Sequence, residues 1–388
     1  MIVLKKVSIL VFSFILIIVY AYNAYAQNNN ITIEWQKEYQ LETDRAVNIA
    51  YDAIVLDDGY LITGISGSEN GKGNIFLLKV NQTGEKLWSN LYNAKKNQIA
   101  TSIISNNNQY IVGGFTSDNL LINKESQSYL MMVDDSGNKV SEKTINLKNN
   151  NFIVDLKKTE DNNLIIGGYT INDKKFFNPY LIKIDPHKNI IWKKLYNQNK
   201  NRILNKIAID KNNILIGGSL FSINNKNTKA YLIKFDKTGE KIFEKSYGNK
   251  GIYATTAILK DIDSYIIGGD IMSKKAGVFI SKFSKTGKHI WSRNYYNEEL
   301  NTINNIYKLN NNYITIGQNK NNNIYIMGIN QNGTKLWKEI INNNKVQMPM
   351  NVLKTSETSY LIIGYSQNRS DQLNYKINIY LLKIDISL

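Results

Sequence analysis

The chain has 388 residues, a formal net charge of +16, no cysteine and two histidines. Without cysteine there is no disulfide, no lipid-anchoring thiol and no thiolate metal site. The charge suits an acidic partner, but only four of the 48 basic residues are arginine (Arg45, Arg202, Arg293, Arg369), which argues against nucleic acid.

The first 26 residues read as a secretory signal. Lys5 and Lys6 precede an apolar stretch, 7–20, and Ala24-Tyr25-Ala26 makes a small-x-small site cut before Gln27. Losing those two lysines lowers the charge from +16 to +14. No later segment is apolar enough to span a membrane. The product is expected to be exported, periplasmic or at the cell surface, with residues 27–388 as a single domain.

A run of the form Tyr-Leu-Ile-x-Gly then recurs, ending at Gly64, Gly114, Gly168, Gly218, Gly269, Gly317 and Gly364. The intervals are 50, 54, 50, 51, 48 and 47 residues, the mark of a repeat fold. Each unit continues with a second apolar strand, a short turn and a tryptophan, as in Phe76 to Val80, Gly84 and Trp88. Runs of aromatic and branched residues punctuated by Asn, Asp and Gly predict short strands joined by hairpins. In the first unit these fall at 48–56, 60–65, 75–80 and 86–92.

The fold class is therefore all-β: a seven-bladed propeller of four-stranded antiparallel blades. An open solenoid is the alternative, but the ends of the sequence are complementary. The last unit stops at 384–388, where its fourth strand should start, and 34–39 aligns with the fourth strands at 87–92 and 191–196. The N-terminal strand is expected to complete the last blade and close the ring, removing a free sheet edge.

All five tryptophans, Trp35, Trp88, Trp192, Trp291 and Trp337, share one repeat position, which points to packing of blade on blade. Phe243 takes that place in the fourth unit and Ser141 in the second. Gly84, Gly137, Gly239, Gly287 and Gly333 supply the left-handed turn residue. Lys79, Lys183, Lys234, Lys282 and Lys383 share a position and read as a solvated strand face. Asp134, Asp185, Asp236 and Asp385 read as turn formers.

Little of the sequence signals chemistry. His187 and His289 come from different units, and no Asp-x-Asp-x-Asp-Gly loop offers a calcium site. No catalytic residue, metal or cofactor is assigned. Asp52, Asp155 and Asp270 are off-pattern acids near blade strands that could supply a channel carboxylate pair.

The loops are more telling. Turns between first and second strands, and between third and fourth, are tight, whereas 116–128, 170–179, 220–230 and 366–378 are long and individual. Variable loops on a rigid scaffold are where binding sits. They carry Leu120, Leu121, Phe176, Phe177, Phe221 and Tyr375, with Tyr253, Tyr295 and Tyr296 beside the fourth–first connections of the same face. These are the candidate binding residues, suited to a protein or glycan partner.

Gly59-Tyr60-Leu61-Ile62-Thr63-Gly64 and Tyr231-Leu232-Ile233-Lys234-Phe235-Asp236-Lys237-Thr238-Gly239 resemble the unit of bacterial secreted β-propeller repeat proteins. The likeness covers the mature chain and implies an extracellular or envelope protein of propeller fold. A more distant likeness is to quinoprotein-type propellers, which imply a calcium-bound quinone and often adjacent cysteines, absent here. The expected function is a non-catalytic binding or scaffold propeller; the alternative is a glycan hydrolase, glycan lyase or quinone enzyme working in the central channel.

Overall fold

The computed structural model describes residues 31–41, 47–67, 72–106, 109–118, 125–147, 149–172, 175–187, 189–196, 201–221, 227–296, 299–342, 344–369 and 376–387. The expected signal, Leu120, Leu121 and Tyr375 lie outside them. Among the described residues there are 28 strands and no helix.

The strands pair antiparallel in groups of four consecutive members. In the first complete group Val47–Leu56, Gly59–Gly67, Gly73–Asn81 and Lys86–Tyr92 pair in chain order. Two wider sheets arise where single parallel bridges, Val47↔Ile377 and Thr228↔Ile252, join neighbouring groups. One pairing departs from chain order: Ile31–Tyr39 runs antiparallel to Ile377–Ile386, from Ile31↔Ile386 to Tyr39↔Ile379.

The first strands of successive groups lie against one another. Val47–Leu56 touches Asn97–Asn106, which touches Asn150–Lys158, which touches Asn201–Asp210; Ile252–Lys260 follows, and Lys345–Lys354 lies back against Val47–Leu56. Apolar clusters fill the spaces between adjacent groups, such as Leu61, Leu77, Ile103 and Met131 between the first two.

A recurring irregularity shapes the centre. The register between first and second strands slips at Ala50/Asp52, Ala100/Ser102, Ile153/Asp155, Leu204/Lys206, Thr255/Ala257 and Pro349/Asn351. Such a bulge re-aims the side chains around it. It also explains the last glycine of the repeat. A Cβ on Gly64 would lie 1.9 Å from the Ile49 carbonyl oxygen, and one on Gly168 1.8 Å from that of Phe152. The third-strand tyrosine then caps the displaced carbonyl: Tyr180 Oη donates to Phe152 O at 3.2 Å, Tyr231 to Ile203 O at 3.1 Å and Tyr325 to Thr302 O at 2.8 Å.

The tryptophans pack between groups as their repeat position implies. Trp35, Trp88, Trp192 and Trp291 lie on the turn glycines of the following group, Gly84, Gly137, Gly239 and Gly333. The indole N–H of Trp35 donates to Gln82 O at 2.9 Å, and that of Trp291 to Gln331 O at 2.8 Å. Asp134, Asp185 and Asp236 behave as read, Asp134 Oδ1 accepting Ser136 N at 3.0 Å and Asn138 N at 2.8 Å. Asp385 does not, because it lies within the strand Ile377–Ile386 and its Oδ2 accepts the hydroxyls of Thr358 and Ser359.

The lysine reading needs correcting. Lys183, Lys282 and Lys383 are buried, not solvated. Lys282 Nζ donates to Tyr313 Oη at 3.0 Å and Gln331 Oε1 at 2.9 Å, and Lys234 and Lys383 sit over the rings of Tyr265 and Tyr60. The next group's tyrosine and turn satisfy Lys234 and Lys282, whereas Lys183 Nζ donates to Asp161 Oδ2 of its own group at 3.0 Å.

Candidate functional site

The bulges place one residue position of several first strands around a common cavity of about 300 Å³. Its floor is polar, formed by Asp52, Asp155, Asn205, Lys206 and Asn351. Its wall toward the long loops is aromatic, formed by Phe115, Phe152 and Tyr169, with Tyr51 opposite in the lining.

The two carboxylates are held by main-chain amides of the following group. Asp52 Oδ2 accepts Ile103 N and Ser102 Oγ, each at 2.9 Å, while Oδ1 accepts Ala53 N at 2.9 Å and Asn351 Nδ2 at 2.7 Å. Asp155 Oδ2 accepts Ile207 N at 2.9 Å, and Oδ1 accepts Lys157 Nζ at 2.5 Å. Ser102 stands between them, 3.4 Å from Asp155 Oδ1, and its Oγ accepts Leu156 N at 3.2 Å. These groups fasten neighbouring strands, and their lone pairs are largely spent in doing so.

The two lysines differ. Burial works against the Lys157 charge, but Asp155 and Asp52 outweigh it and hold its pKa above the ordinary value. Lys206 is pushed below its ordinary value, first by burial, with the Lys157 charge adding to that and Asp155 and Asp52 opposing. Lys206 Nζ has one side-chain contact, Asn351 Oδ1 at 3.5 Å, and no carboxylate of a described residue within ion-pair distance. It is a donor with spare capacity beside an aromatic wall.

That wall continues outward. Phe115 meets Phe152 edge-on with centroids 4.8 Å apart, Phe152 meets Tyr169 at 5.2 Å, Tyr169 meets Phe177 at 5.7 Å, and Phe177 stacks on Phe221 at 5.8 Å. Phe177 begins the strand Phe177–Ile184 and Phe221 ends Asn213–Phe221, at the base of two long loops. The structure thus brings Phe177 and Phe221 together and joins them to the cavity. Phe176 beside them is 41% exposed.

The tyrosines are placed differently. Tyr253 is buried among Tyr247, Phe279 and Ile271, with its hydroxyl 3.3 Å from that of Tyr296. Tyr295 is buried, and its hydroxyl donates at 2.6 Å to Gly333 O, in a tight turn of the next group. Both serve packing, Tyr253 from the first strand Ile252–Lys260 and Tyr295 from the fourth strand His289–Tyr295, each within an apolar cluster; only Tyr296 of the three keeps partial exposure.

Sequence reading missed Phe115, Phe152, Tyr169, Lys206 and Asn351. A signal existed: Phe115 and Tyr169 both follow the repeat glycine, and Asp52, Ser102, Asp155, Lys206 and Asn351 occupy equivalent positions once the bulge is counted. Asp270 does not line this cavity. Its carboxylate accepts Ile303 N at 3.0 Å, and burial pushes its pKa up to about 7 against that bond. Among the described residues no cluster of three or more His, Asp or Glu is spaced to hold a metal ion.

No protein-family model matches the chain, and no curated protein matches its sequence. Solved structures do match in shape. The polysaccharide lyase Uly1 is 9% identical, with 87% of this chain and 90% of that one covered at a TM-score of 0.58. A protein of unknown function from Dyadobacter fermentans DSM 18053 is 10% identical over 92% and 100%, with a TM-score of 0.51. The Dos1 propeller is 13% identical over 89% and 93%, with a TM-score of 0.48. The chain is built from four-stranded antiparallel sheets and shares its fold with the lyase and the Dyadobacter protein. At such identities the likeness concerns fold alone.

Proposed function

We propose that the chain closes as a seven-bladed propeller and serves as an exported, non-catalytic binding protein that seats an acidic glycan at the long-loop end of its channel. The carrying observation is the cavity itself. Its continuous aromatic wall offers flat apolar surface to a sugar ring, and Lys206, Asn205 and Asn351 offer donors to hydroxyl or carboxylate oxygens.

Closure is supported by the pairing of Ile31–Tyr39 with Ile377–Ile386, and by the clamp that Trp35 and Tyr39 make on the turn of the first group. Trp291 and Tyr295 make the same clamp between the fifth and sixth groups. Export rests on the expected signal, and finding Gln27 as the N-terminus of secreted protein would test it. The likeness to secreted β-propeller repeats supports the same reading.

The test is thermal melting against neutral and acidic oligosaccharides, with Tyr169→Ala and Lys206→Met beside the wild type. An acidic glycan at a hundred times its Kd should stabilise the fold by about 2.7 kcal/mol. Each variant should lower the affinity at least tenfold; Lys206→Met should melt close to the wild type without ligand, and Tyr169→Ala somewhat below it because its ring packs between Phe152 and Phe177. If no oligosaccharide moves the midpoint, glycan binding is wrong.

The enzyme reading has one observation in its favour, the sharing of a cavity by Asp52 and Asp155. Their bonds to main-chain amides favour a structural role. Release of shortened products from a bound glycan, abolished in Asp155→Asn, would reverse that preference.

A further inference from the structure

We propose that the joint between the second and third groups is an open, indole-sized slot that takes the tryptophan side chain of an acidic peptide partner. It is separate from the channel site. At other joints the chain fills this space itself, with Trp35, Trp88, Trp192, Trp291 or Phe243 laid on the next turn glycine. In the second group that position is Ser141, paired opposite Met132.

Three exchanges coincide at this joint. The filling ring is replaced by Ser141. The lysine that reaches across elsewhere is replaced by Met132, and the tyrosine it meets elsewhere by Leu164, both within one apolar cluster. The turn glycine on which the ring would lie is replaced in the sequence by Lys188. A Cβ at the equivalent Gly137 or Gly333 would come within 2.8 or 2.7 Å of the indole, so ring and glycine are lost together.

At this joint lies a cavity of about 180 Å³, lined by Ile111, Leu130 and Met132 from the second group and Ile166, Ile182 and Ile184 from the third, and bordered on the strand of Ser141 by Lys143 and Ile145 rather than by Ser141 itself. An apolar hole of about 150 Å³ stays dry and accepts benzene, so this one has room for a larger ring. The repeat also supplies a partner for the indole N–H. The carbonyls of Gln82, Lys237 and Gln331 accept it elsewhere, and Pro186 stands at the equivalent place.

Charge sets the flanks of the incoming segment. Lys143 and Lys193 border the slot, both exposed, and neither pairs with a carboxylate of a described residue. A tryptophan between acidic residues would place its ring among the isoleucines and its carboxylates on these ammonium groups.

The experiment is calorimetric titration of the purified protein with indole, and then with capped Asp-Trp-Glu and Lys-Trp-Lys peptides. Indole should bind at one site per chain and perturb the Met132 methyl resonance. The acidic peptide should bind at least tenfold more tightly than the basic one at low salt. Ser141→Trp combined with Lys188→Gly should fill the slot, abolish indole binding and raise the melting temperature. Lys143→Glu with Lys193→Glu, a surface change that leaves the core intact, should invert the peptide preference while indole still binds at one site. Failure of indole to bind the wild type, or an unaltered peptide preference in the charge-reversed variant, would overturn the proposal.

Discussion

Asp270 shows how a single buried carboxyl sets a pH dependence. Its folded pKa of about 7 lies above the ordinary carboxylate range, so the native state holds the proton more tightly than the unfolded chain. The stabilisation this gives is complete at pH 4 and below. It is lost as pH rises to about 7, and the contribution is flat beyond that. Asp270→Asn mimics the protonated form and keeps an acceptor for Ile303 N. It should melt with the wild type at pH 4 and a few degrees above it at pH 8, a difference of up to about 4 kcal/mol. Equal midpoints at both values would mean that the site hydrates and the carboxylate ionises freely. Residues of this kind were only half legible in the sequence. Phe177 and Phe221 stood out because no repeat position explained them, and they do meet at the edge of the cavity. Phe152 and Lys206 were hidden because their orientation depends on a bulge, which has no composition signal of its own. Tyr253 and Tyr295 misled because chain position fixes where a tyrosine starts and not which sheet its ring lies on.

At the level of elements, strand identity and order were readable because period-2 alternation, turn residues and the repeat all agreed. The bulge was not, although its glycine was in plain view. That glycine admits a sharp comparison. Gly218→Ala would put a methyl 1.9 Å from the Ile203 carbonyl oxygen, whereas the nearest atom to a methyl on Gly67 is 3.8 Å away. Gly218→Ala should cost about 3 kcal/mol or more, and Gly67→Ala should stay within about 0.5 kcal/mol of the wild type in urea unfolding. If both are neutral, the bulge is soft and does not impose the repeat. The lysine position carried a different lesson. A charged residue alternating with apolar ones looks solvated until the neighbouring sheet is placed beside it. Lys282 between Tyr313 and Gln331 is such a case.

For the molecule as a whole, the pairing of Ile31–Tyr39 with Ile377–Ile386 makes the two ends interdependent. Deleting 31–39 removes the Trp35 clamp and bares one edge of Ile377–Ile386, and exposed edges recruit other chains. The shortened protein should elute as larger oligomers or aggregates in size-exclusion chromatography, and a synthetic peptide of residues 31–39 added in trans should restore the elution of the full-length protein. A deletion variant that elutes and melts as the full-length protein does would show that the fold does not need this strand. The register has one more outcome, concerning mechanics. Ile31 lies opposite Ile386, so the outward-leading ends of the two strands are neighbours at one corner of the sheet. Tension applied through both would open their ladder one rung at a time, like a zip, and would not load all its hydrogen bonds in parallel as shear does. A pairing that resists heat should therefore part under a small pulling force, and a single-molecule trace should show it yielding before any other sheet.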